Sequence, residues 1–254
     1  MLDETIITKA IIDTYTKEFI ENLKVDVIIA GAGPSGLVAS RFLAEAGLKT
    51  IIFERKLSVG GGMPGGGMMF NIIVVQGDAK RILDKYGIKT KEYVPNYFVA
   101  DAVEAVSKLT AGAIDAGVKI YNLISVEDVK INSQNEITGA VINWTAVDMA
   151  KLHVDPMTFE SRCLIDATGH DLEVVKKVIK KVNADLKIEG ERSMNAEKGE
   201  KLLLETTKKV HPGLYVAGMA ANAFSGGERM GPIFGGMLLS GEKVANLIIK
   251  ELNS

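Results

Sequence analysis

Residues 25–54 read VDVIIAGAGPSGLVASRFLAEAGLKTIIFE, and this stretch decides the fold. An apolar run over 25–30 predicts a buried parallel strand, a helical pattern follows over 35–46, and a second apolar run ends at Glu54. Between the first strand and the helix, Gly31, Gly33 and Gly36 are spaced G-x-G-x-x-G. At this spacing the first glycine allows a tight turn, the second lets the backbone approach a pyrophosphate, and the third lets helix and strand pack closely.

The acidic residue at the end of the second strand adds to this pattern. Glu54 follows Gly36 by 18 positions, where a carboxylate can accept hydrogen bonds from both ribose hydroxyls of an adenosine. The glycine spacing alone is a weak signal, and an ordinary turn with three glycines would leave Glu54 unexplained. Strand, helix, second strand and terminal acid together predict a βαβ dinucleotide-binding core over 25–54.

The composition narrows the classes of function. The 254 residues, 47% of them apolar, fit a single domain over 1–254 with a sizeable core. Because 30 basic residues nearly balance 32 acidic ones, we expect no nucleic acid and no anionic membrane as partner. We find no uninterrupted apolar run of the roughly 18 residues of a membrane span and no signal peptide. One cysteine, Cys163, cannot form an internal disulfide, which fits a cytoplasmic location.

The rest of the chain predicts an α/β, Rossmann-like fold of the two-dinucleotide-binding-domain flavoprotein type. We expect a central parallel sheet and an additional β-hairpin or antiparallel layer, with the hairpin over 118–145. Residues 185–209 are charged and poorly periodic, and predict a lid or an extension to a neighbouring subunit. Helical patterns occur at 3–23, which could cover the sheet edge or contact another subunit, and at 77–86, 100–116 and 233–252.

A glycine-rich loop follows the βαβ core. Residues 58–70 read SVGGGMPGGGMMF, with six glycines in eight positions, so a regular element is excluded and ordering the loop is costly. It is either a flexible surface loop or a loop that passes close to a ligand. The flanking Met63, Met68 and Met69 favour burial, and therefore the second interpretation.

Two segments carry side chains suited to chemistry. His153 and Asp155 are two positions apart before Pro156, so in extended geometry they project to one face. His170 follows an apolar strand, at the carboxyl end where open α/β sheets place their sites. A carboxylate from Asp155 and an imidazole from His170 suit a divalent first-row metal. By spacing alone this signal for a metal is weak, and the alternative is a capping aspartate and a hydrogen-bonded histidine.

The last apolar strand, 214–217, is followed by Gly218 and Met219. Flavoproteins of this build usually carry Gly-Asp here, and a thioether cannot accept the hydrogen bonds of a ribityl chain. This departure counts against flavin. Further on, Arg229 lies between glycines and could clamp a small carboxylate in bidentate fashion, or pair with Glu228 on the surface.

Together these motifs resemble the thiamine thiazole synthases, in particular the archaeal, sulfide-using branch. The resemblance covers nearly the whole chain and rests on GAGPSG with Glu54-Arg55, GGGMPGGGMMF, LHVDP, DATGHD and GERMGPIFGGM. It implies that NAD is a substrate, which loses nicotinamide and then combines with glycine and sulfur to give an ADP-thiazole carboxylate for thiamine biosynthesis. It also implies iron(II) as cofactor and a ring of eight subunits.

The resemblance assigns site residues by position. Asp155 and His170 correspond to iron ligands, and Arg229 to the clamp on the glycine carboxylate. The stretch His153–Asp155, with Val154 between, would line the pocket from an adjacent subunit. His153, Asp155 and His170 would be catalytic, with His153 as acid/base ahead of its use as a third ligand. Nucleotide contacts would come from Gly31, Gly33, Ser35, Gly36, Glu54, Arg55, Gly62, Val126, His153, Val154, Asp155 and Met219.

One position decides the sulfur source. Fungal and plant relatives carry a cysteine where His153 stands, and that cysteine gives up its own sulfur, so each protein turns over once. An imidazole has no sulfur to give, and Cys163 lies within an apolar strand, where a buried thiol is usually inert. We therefore expect free sulfide as donor and repeated turnover.

Two other functions remain open at this point. An FAD-dependent oxidoreductase would use the same nucleotide-binding fold, although Gly218 and Met219 oppose it. A non-catalytic NAD sensor would bind the nucleotide without consuming it, but it would not need the reactive side chains His153, Asp155 and His170.

Overall fold

The computed structural model describes residues 1–182 and 185–253. The α-helices are α1 Glu4–Glu21, α2 Pro34–Glu45, α3 Gly77–Lys85, α4 Ala102–Asp115, α5 Thr145–Met149, α6 Glu173–Lys181, α7 Ala196–Thr206, α8 Met219–Ser225 and α9 Gly235–Leu252. The strands are β1 Lys24–Ala30, β2 Thr50–Glu54, β3 Ile72–Gln76, β4 Lys91–Val94, β5 Tyr97–Asp101, β6 Lys119–Asn122, β7 Ile124–Ile131, β8 Ile137–Trp144, β9 Met157–Asp166, β10 Lys208–His211 and β11 Leu214–Val216. None of the helices in these two ranges has the length and apolar character that a bilayer crossing needs.

A mainly parallel sheet forms the centre of the molecule. Strand β1 lies between β2 and β9, with Ile28 paired with Ile51 on one side and Leu164 on the other. Parallel pairing continues outward to β6 and to β11, and β10 adds an antiparallel edge. This central position explains the continuous apolar run of β1, because Ile28 and its neighbours are buried on both faces of the sheet. The predicted α/β fold with a central parallel sheet is confirmed.

Antiparallel pairing supplies the additional layer that the sequence predicted. Strands β7 and β8 form a hairpin, and β8 pairs with the first part of β9. A separate antiparallel sheet has the order β3-β5-β4. The predicted hairpin over 118–145 is nevertheless too long. Leu123 has a φ of 58° and separates β6, which belongs to the parallel sheet, from the hairpin that begins at Ile124.

Helices cover both faces of the central sheet. On one face α2 packs against α4 and α9, and Gly241 allows a close approach, because a Cβ there would lie 2.4 Å from the Ser35 carbonyl oxygen. On the other face α6 packs on β7 through buried residues such as Val174 and Val178. The carboxyl ends of the parallel strands remain open between these layers.

Helix α1 is only partly attached to this body. Its second half contacts the core through Tyr15 and Phe19, with the Phe19 ring 4.9 Å from that of Phe159. Its first half leaves Ile7 and Ile11 exposed to solvent, together with other isoleucines. The helix therefore covers part of the sheet through Tyr15 and Phe19, while a contact of its exposed isoleucines with another subunit stays a prediction.

Residues 185–209 pack on their own molecule. Residues 189–195, which we call the strap, run beside 223–229: the amides of Gly190 and Arg192 donate to the carbonyl oxygens of Ala223 and Gly227. Helix α7 then packs on α8 and α9, with Leu203 fully buried. A charged, weakly periodic sequence does not predict this placement, because the strap is held largely by main-chain hydrogen bonds.

Candidate functional site

A cavity of about 630 Å³ opens at the carboxyl ends of β1, β2 and β9. This is the edge at which open α/β sheets bind their ligands. The glycine turn, the glycine-rich loop, the start of the hairpin and residues 229–237 complete its walls. The sequence-predicted residues that line it are Gly31, Gly33, Ser35, Glu54, Arg55, Gly62, Val126, His170, Met219 and Arg229.

The three glycines of the turn have different surroundings. Gly31 has a φ of 102°, and a Cβ there would lie 2.5 Å from the Ala167 carbonyl oxygen. A Cβ on Gly36 would lie 2.2 Å from the Gly31 carbonyl oxygen, so this glycine serves packing and does not line the cavity. Gly33 has an ordinary φ of −75° and no atom within 4 Å of such a Cβ. The space beside Gly33 therefore belongs to the cavity.

Glu54 is fixed at the cavity wall by the turn itself. Its side chain is buried, Oε2 accepts from the Ala32 amide at 2.8 Å, and Oε1 accepts from the Lys56 amide at 2.9 Å. Each carboxylate oxygen keeps a further lone pair for a ligand hydroxyl. The acid and the glycine turn thus form one unit.

Arg55 connects β2 to the segment that carries His170. Its guanidinium lies 2.8 Å from Asp171 Oδ2 and 2.6 Å from Glu173 Oε1. Partial burial lowers the pKa of Arg55, but the bonds and charges of these two carboxylates outweigh burial and raise it. Sequence reasoning missed this ion pair, because its partners lie more than a hundred positions away.

A buried carboxylate holds the end of β9. Asp166 is fully buried and accepts hydrogen bonds from the Thr168 amide and hydroxyl and from the Val174 and Val175 amides. Burial raises the pKa of Asp166, while the four hydrogen bonds act in the opposite direction. These bonds tie the start of α6 to the strand and so fix the turn that presents His170. The position of Asp166 at the end of an apolar strand was a sequence signal that could have identified this role.

His170 is the imidazole that reaches the cavity. Its side chain is 54% exposed, and its Nδ1 atom lies 2.6 Å from Glu191 Oε2. Glu191 belongs to the strap, and its Oε1 atom accepts from Asn222 Nδ2 at 3.0 Å. Sequence reasoning assigned neither Glu191 nor Asn222 to the site.

The segment with His153, Val154 and Asp155 lies elsewhere on the molecule. All three residues are exposed and none lines the cavity. The Val154 carbonyl oxygen accepts from Asn143 Nδ2 at 3.1 Å, which anchors the segment to β8. Within residues 1–182 and 185–253, no group of three His, Cys, Asp or Glu side chains is arranged to hold a metal ion.

The glycine-rich loop forms one wall of the cavity and contributes Gly61, Gly62, Met63 and Met68. The expected burial of its methionines is wrong for two of the three. Met63 is fully buried, whereas Met68 and Met69 are 76% and 94% exposed. Both exposed methionines have a positive φ, and Met68 is exposed where it lines the cavity.

Cys163 lies inside the sheet. It pairs with Val27 of β1, is 1% exposed and does not line the cavity. Burial raises the pKa of its thiol to about 12. A thiol in this environment is a poor nucleophile at neutral pH.

Comparison with known proteins agrees with this architecture. The chain is 55% identical over 255 residues to the thiamine thiazole synthase of Methanococcoides burtonii, covering 99% of each protein. The crystal structure of THI4 of Thermovibrio ammonificans superposes with a TM-score of 0.97 at 46% identity, over 100% of this chain and 99% of that one. A geranylgeranyl bacteriochlorophyll reductase-like protein of Thermoplasma acidophilum shares only the fold, with a TM-score of 0.52 at 14% identity over 91% of this chain and 79% of that one.

The Thi4 family model matches residues 8–234. That range extends from the first helix to Phe234 at the cavity wall. It includes the glycine turn, Glu54, the DATGHD segment and Arg229. The resemblance seen in the sequence is confirmed, and the chain that builds this cavity belongs to the Thi4 family.

Proposed function

We propose that the protein is a thiamine thiazole synthase. It converts NAD, glycine and free sulfide into ADP-thiazole carboxylate with release of nicotinamide, in an iron(II)-dependent reaction with multiple turnovers. One observation carries the proposal: the glycine turn, Glu54, His170 and Arg229 line one cavity of about 630 Å³. The names of the relatives support the thiazole synthase activity.

The nucleotide half of NAD fits the first part of the cavity. The pyrophosphate lies against Gly33 and the amides at the start of α2, where the structure leaves open space. Glu54 accepts the ribose hydroxyls, and Val126 and Met219 supply apolar wall. Met219 offers a thioether rather than a carboxylate to a ribityl chain. This difference counts against a flavin, so we rank an FAD-dependent oxidoreductase of the same fold behind the thiazole synthase.

The reactive half lies toward His170 and Arg229. Loss of nicotinamide leaves ADP-ribose with an electrophilic anomeric carbon, and opening and isomerisation of the sugar expose a ketone to the glycine amine. Arg229 holds the glycine carboxylate in bidentate fashion, which orients that amine. His153 exchanges protons during the loss of water.

An imidazole and a carboxylate suit iron(II), but within one chain these two ligands lie apart. His170 offers an imidazole at the cavity, and Asp155 offers an exposed carboxylate outside it. We propose that His153–Asp155 reach the cavity of an adjacent subunit in a homo-octamer, so that Asp155 and His170 hold the metal together. The exposed Leu152, 60% accessible, supports a contact there. Iron(II) held at this place would act as a Lewis acid for the incoming sulfide.

The central experiment is a reconstitution. Anaerobic protein is incubated with NAD, glycine, sulfide and iron(II) in a reducing buffer that represents the cytoplasm, and products are identified by mass. We expect an adenylated thiazole carboxylate and free nicotinamide, with product lost when any one component is omitted. Intact NAD in the complete mixture, or a yellow protein that reduces a bound flavin, would contradict the proposal.

The sulfur source is tested separately with Cys163→Ala. Because Cys163 is buried away from the cavity, the variant should keep sulfur incorporation and should lose only about 1 kcal/mol of stability from the small void. The mass of the wild-type polypeptide should be unchanged after many turnovers. A polypeptide lighter by one H₂S, with product formed in the absence of added sulfide, would contradict free sulfide as the donor.

A further inference from the structure

The strap brings a carboxylate to His170 from a distant part of the chain. Glu191 Oε2 lies 2.6 Å from His170 Nδ1, and the Glu191 side chain is only 16% exposed. An ionised carboxylate can only accept hydrogen bonds. The short contact therefore assigns a proton to Nδ1, and in the neutral ring it leaves the lone pair on Nε2.

A second side chain fixes Glu191. The Asn222 side chain is fully buried in α8, and its Nδ2 atom lies 3.0 Å from Glu191 Oε1 and 3.2 Å from the Glu228 carbonyl oxygen. Both oxygens of Glu191 are thus engaged, one by Asn222 and one by His170. The carboxylate cannot rotate without breaking one of these bonds.

The main chain of the strap fixes the position of Glu191 as well. The residues on either side of it, Gly190 and Arg192, donate their amides to the Ala223 and Gly227 carbonyl oxygens at 3.0 and 2.9 Å. Both bonds point to the 223–229 segment, which also carries Arg229. These bonds therefore fix the strap against the cavity wall in the position that brings the Glu191 carboxylate to His170.

We propose that Glu191 is a positioning residue for His170: it holds the imidazole in the Nδ1–H tautomer and orients Nε2 as the ligating atom. The inference rests on the proposed function, in which His170 binds iron(II). Carboxylates that accept the second N–H of a ligating histidine set its tautomer and its basicity. Glu191 would do this without contacting substrate or metal.

The test uses the full-length oligomer and three variants. Glu191→Gln keeps the size of the side chain but can donate its amide to Nδ1, and Glu191→Ala removes the partner. Glu189→Gln is the matched control, since it makes the same charge change on the same strap, and Glu189 pairs with Lys187 at the surface. Melting temperatures of all variants report any loss of folding.

Two measurements follow. Nitrogen-15 NMR of histidine-labelled protein, recorded about two pH units above the ordinary imidazole pKa, reports the tautomer of His170; the chain has only three histidines, and His170→Ala identifies the signal. Competition with a chelator measures iron(II) affinity. We expect both Glu191 variants to lose the Nδ1–H tautomer and to bind iron(II) about 10- to 100-fold more weakly, while Glu189→Gln matches the wild type.

An unchanged tautomer of His170 in both Glu191 variants would overturn the inference, and iron(II) affinity within about twofold of wild type would agree with that result. This outcome differs from failure of the proposed function. If the wild type makes no adenylated thiazole but the tautomer shifts in the variants, the positioning role stands and the thiazole synthase proposal falls. If the wild type is active and the tautomer is unmoved, only the positioning role falls.

Discussion

Gly33 and Gly36 belong to one turn but have different roles: Gly33 leaves space for a ligand, and Gly36 allows the turn to pack. A methyl group on Gly36 meets backbone at 2.2 Å, whereas one on Gly33 meets no atom within 4 Å. The same substitution therefore tests two different physical roles at positions three residues apart.

We predict opposite profiles for the two alanine variants. Gly36→Ala should lower the free energy of unfolding by about 1–3 kcal/mol or more, because the turn must shift. Gly33→Ala should change stability by less than about 1 kcal/mol, yet weaken NAD binding at least about tenfold, because the methyl group would occupy the place that we propose for the pyrophosphate. Chemical denaturation and calorimetric titration check the pair. Unchanged NAD affinity in Gly33→Ala would place the pyrophosphate elsewhere.

At the residue scale the sequence predicts what is local. The glycine spacing and Glu54 lie within one thirty-residue stretch, and their positions follow from strand and helix geometry. Glu191 and Asn222 carry no such signal, because the contact of Glu191 with His170 and that of Asn222 with Glu191 each span more than twenty positions. Their place in the site depends on how the strap packs.

Among the elements, α7 is joined to the rest of the fold by a buried polar contact. Gln76, at the end of β3, donates a side-chain hydrogen bond to Glu200 of α7. The other oxygens, Glu200 Oε1 and Gln76 Oε1, are buried and have no hydrogen-bond partner among the described residues. Burial raises the pKa of the Glu200 carboxyl group. Ionisation of Glu200 is thus less favourable in the folded protein than in the unfolded chain.

We predict that Glu200→Gln stabilises the protein at neutral pH. A folded-state pKa above the unfolded value means that the stability Glu200 contributes is complete below about pH 4 and is lost as pH rises through the folded pKa. The amide of the variant can also donate to Gln76 Oε1, so we expect a gain of about 1–2 kcal/mol. Urea unfolding at pH 5 and pH 8 should show a larger gain at pH 8.

The matched control is Glu197→Gln on the same helix. Glu197 is exposed and pairs with Lys201 one turn away, so its replacement should leave the free energy of unfolding almost unchanged at either pH. A gain in Glu200→Gln that is equal at both pH values would show that the carboxyl group is not the source of the effect.

Among the secondary-structure elements, those with a local sequence pattern were predictable, and those that depend on distant contacts were not. Helical spacing of apolar residues predicts α2 and α9, and continuous apolar runs predict the strands β1 and β2. The break between β6 and β7 does not, because the positive φ of Leu123 depends on its amide reaching the Lys56 carbonyl oxygen. The charged sequence of 185–209 predicted a lid or an extension to a neighbouring subunit. In the structure, main-chain pairing and the buried Leu203 attach this segment to its own fold.

On the scale of the whole molecule, a proposed shared site has a direct consequence. His170 lines the cavity of its own chain, whereas Asp155 does not. Exposed apolar side chains such as Ile7 and Ile11 of α1 and Leu152 beside Asp155 offer surface for contact between copies. Each functional centre would then combine residues of two subunits.

We predict complementation between two inactive variants. His170→Ala and Asp155→Ala should each lose iron(II) binding and thiazole formation. When they are unfolded together and refolded as mixed oligomers, some interfaces pair an intact His170 with an intact Asp155, and activity should return. Product mass and bound iron report the recovery. Mixed oligomers that stay inactive while wild-type protein survives the same treatment would place both residues in one subunit's site.

The main-chain hydrogen bonds of the strap constrain which sequence changes this segment can accept during evolution. Because carbonyl and amide groups of the backbone hold residues 189–195, several side chains there are free to vary. The exceptions are Glu191, Gly190 with its φ of 77°, and Asn195, whose side chain accepts from the Lys198 amide at the start of α7. The number of residues is not free: inserting or deleting one between Gly190 and Asn195 would move every later partner by one position. Sequence drift should therefore be common in this segment and changes of length rare, the reverse of what surface loops usually tolerate.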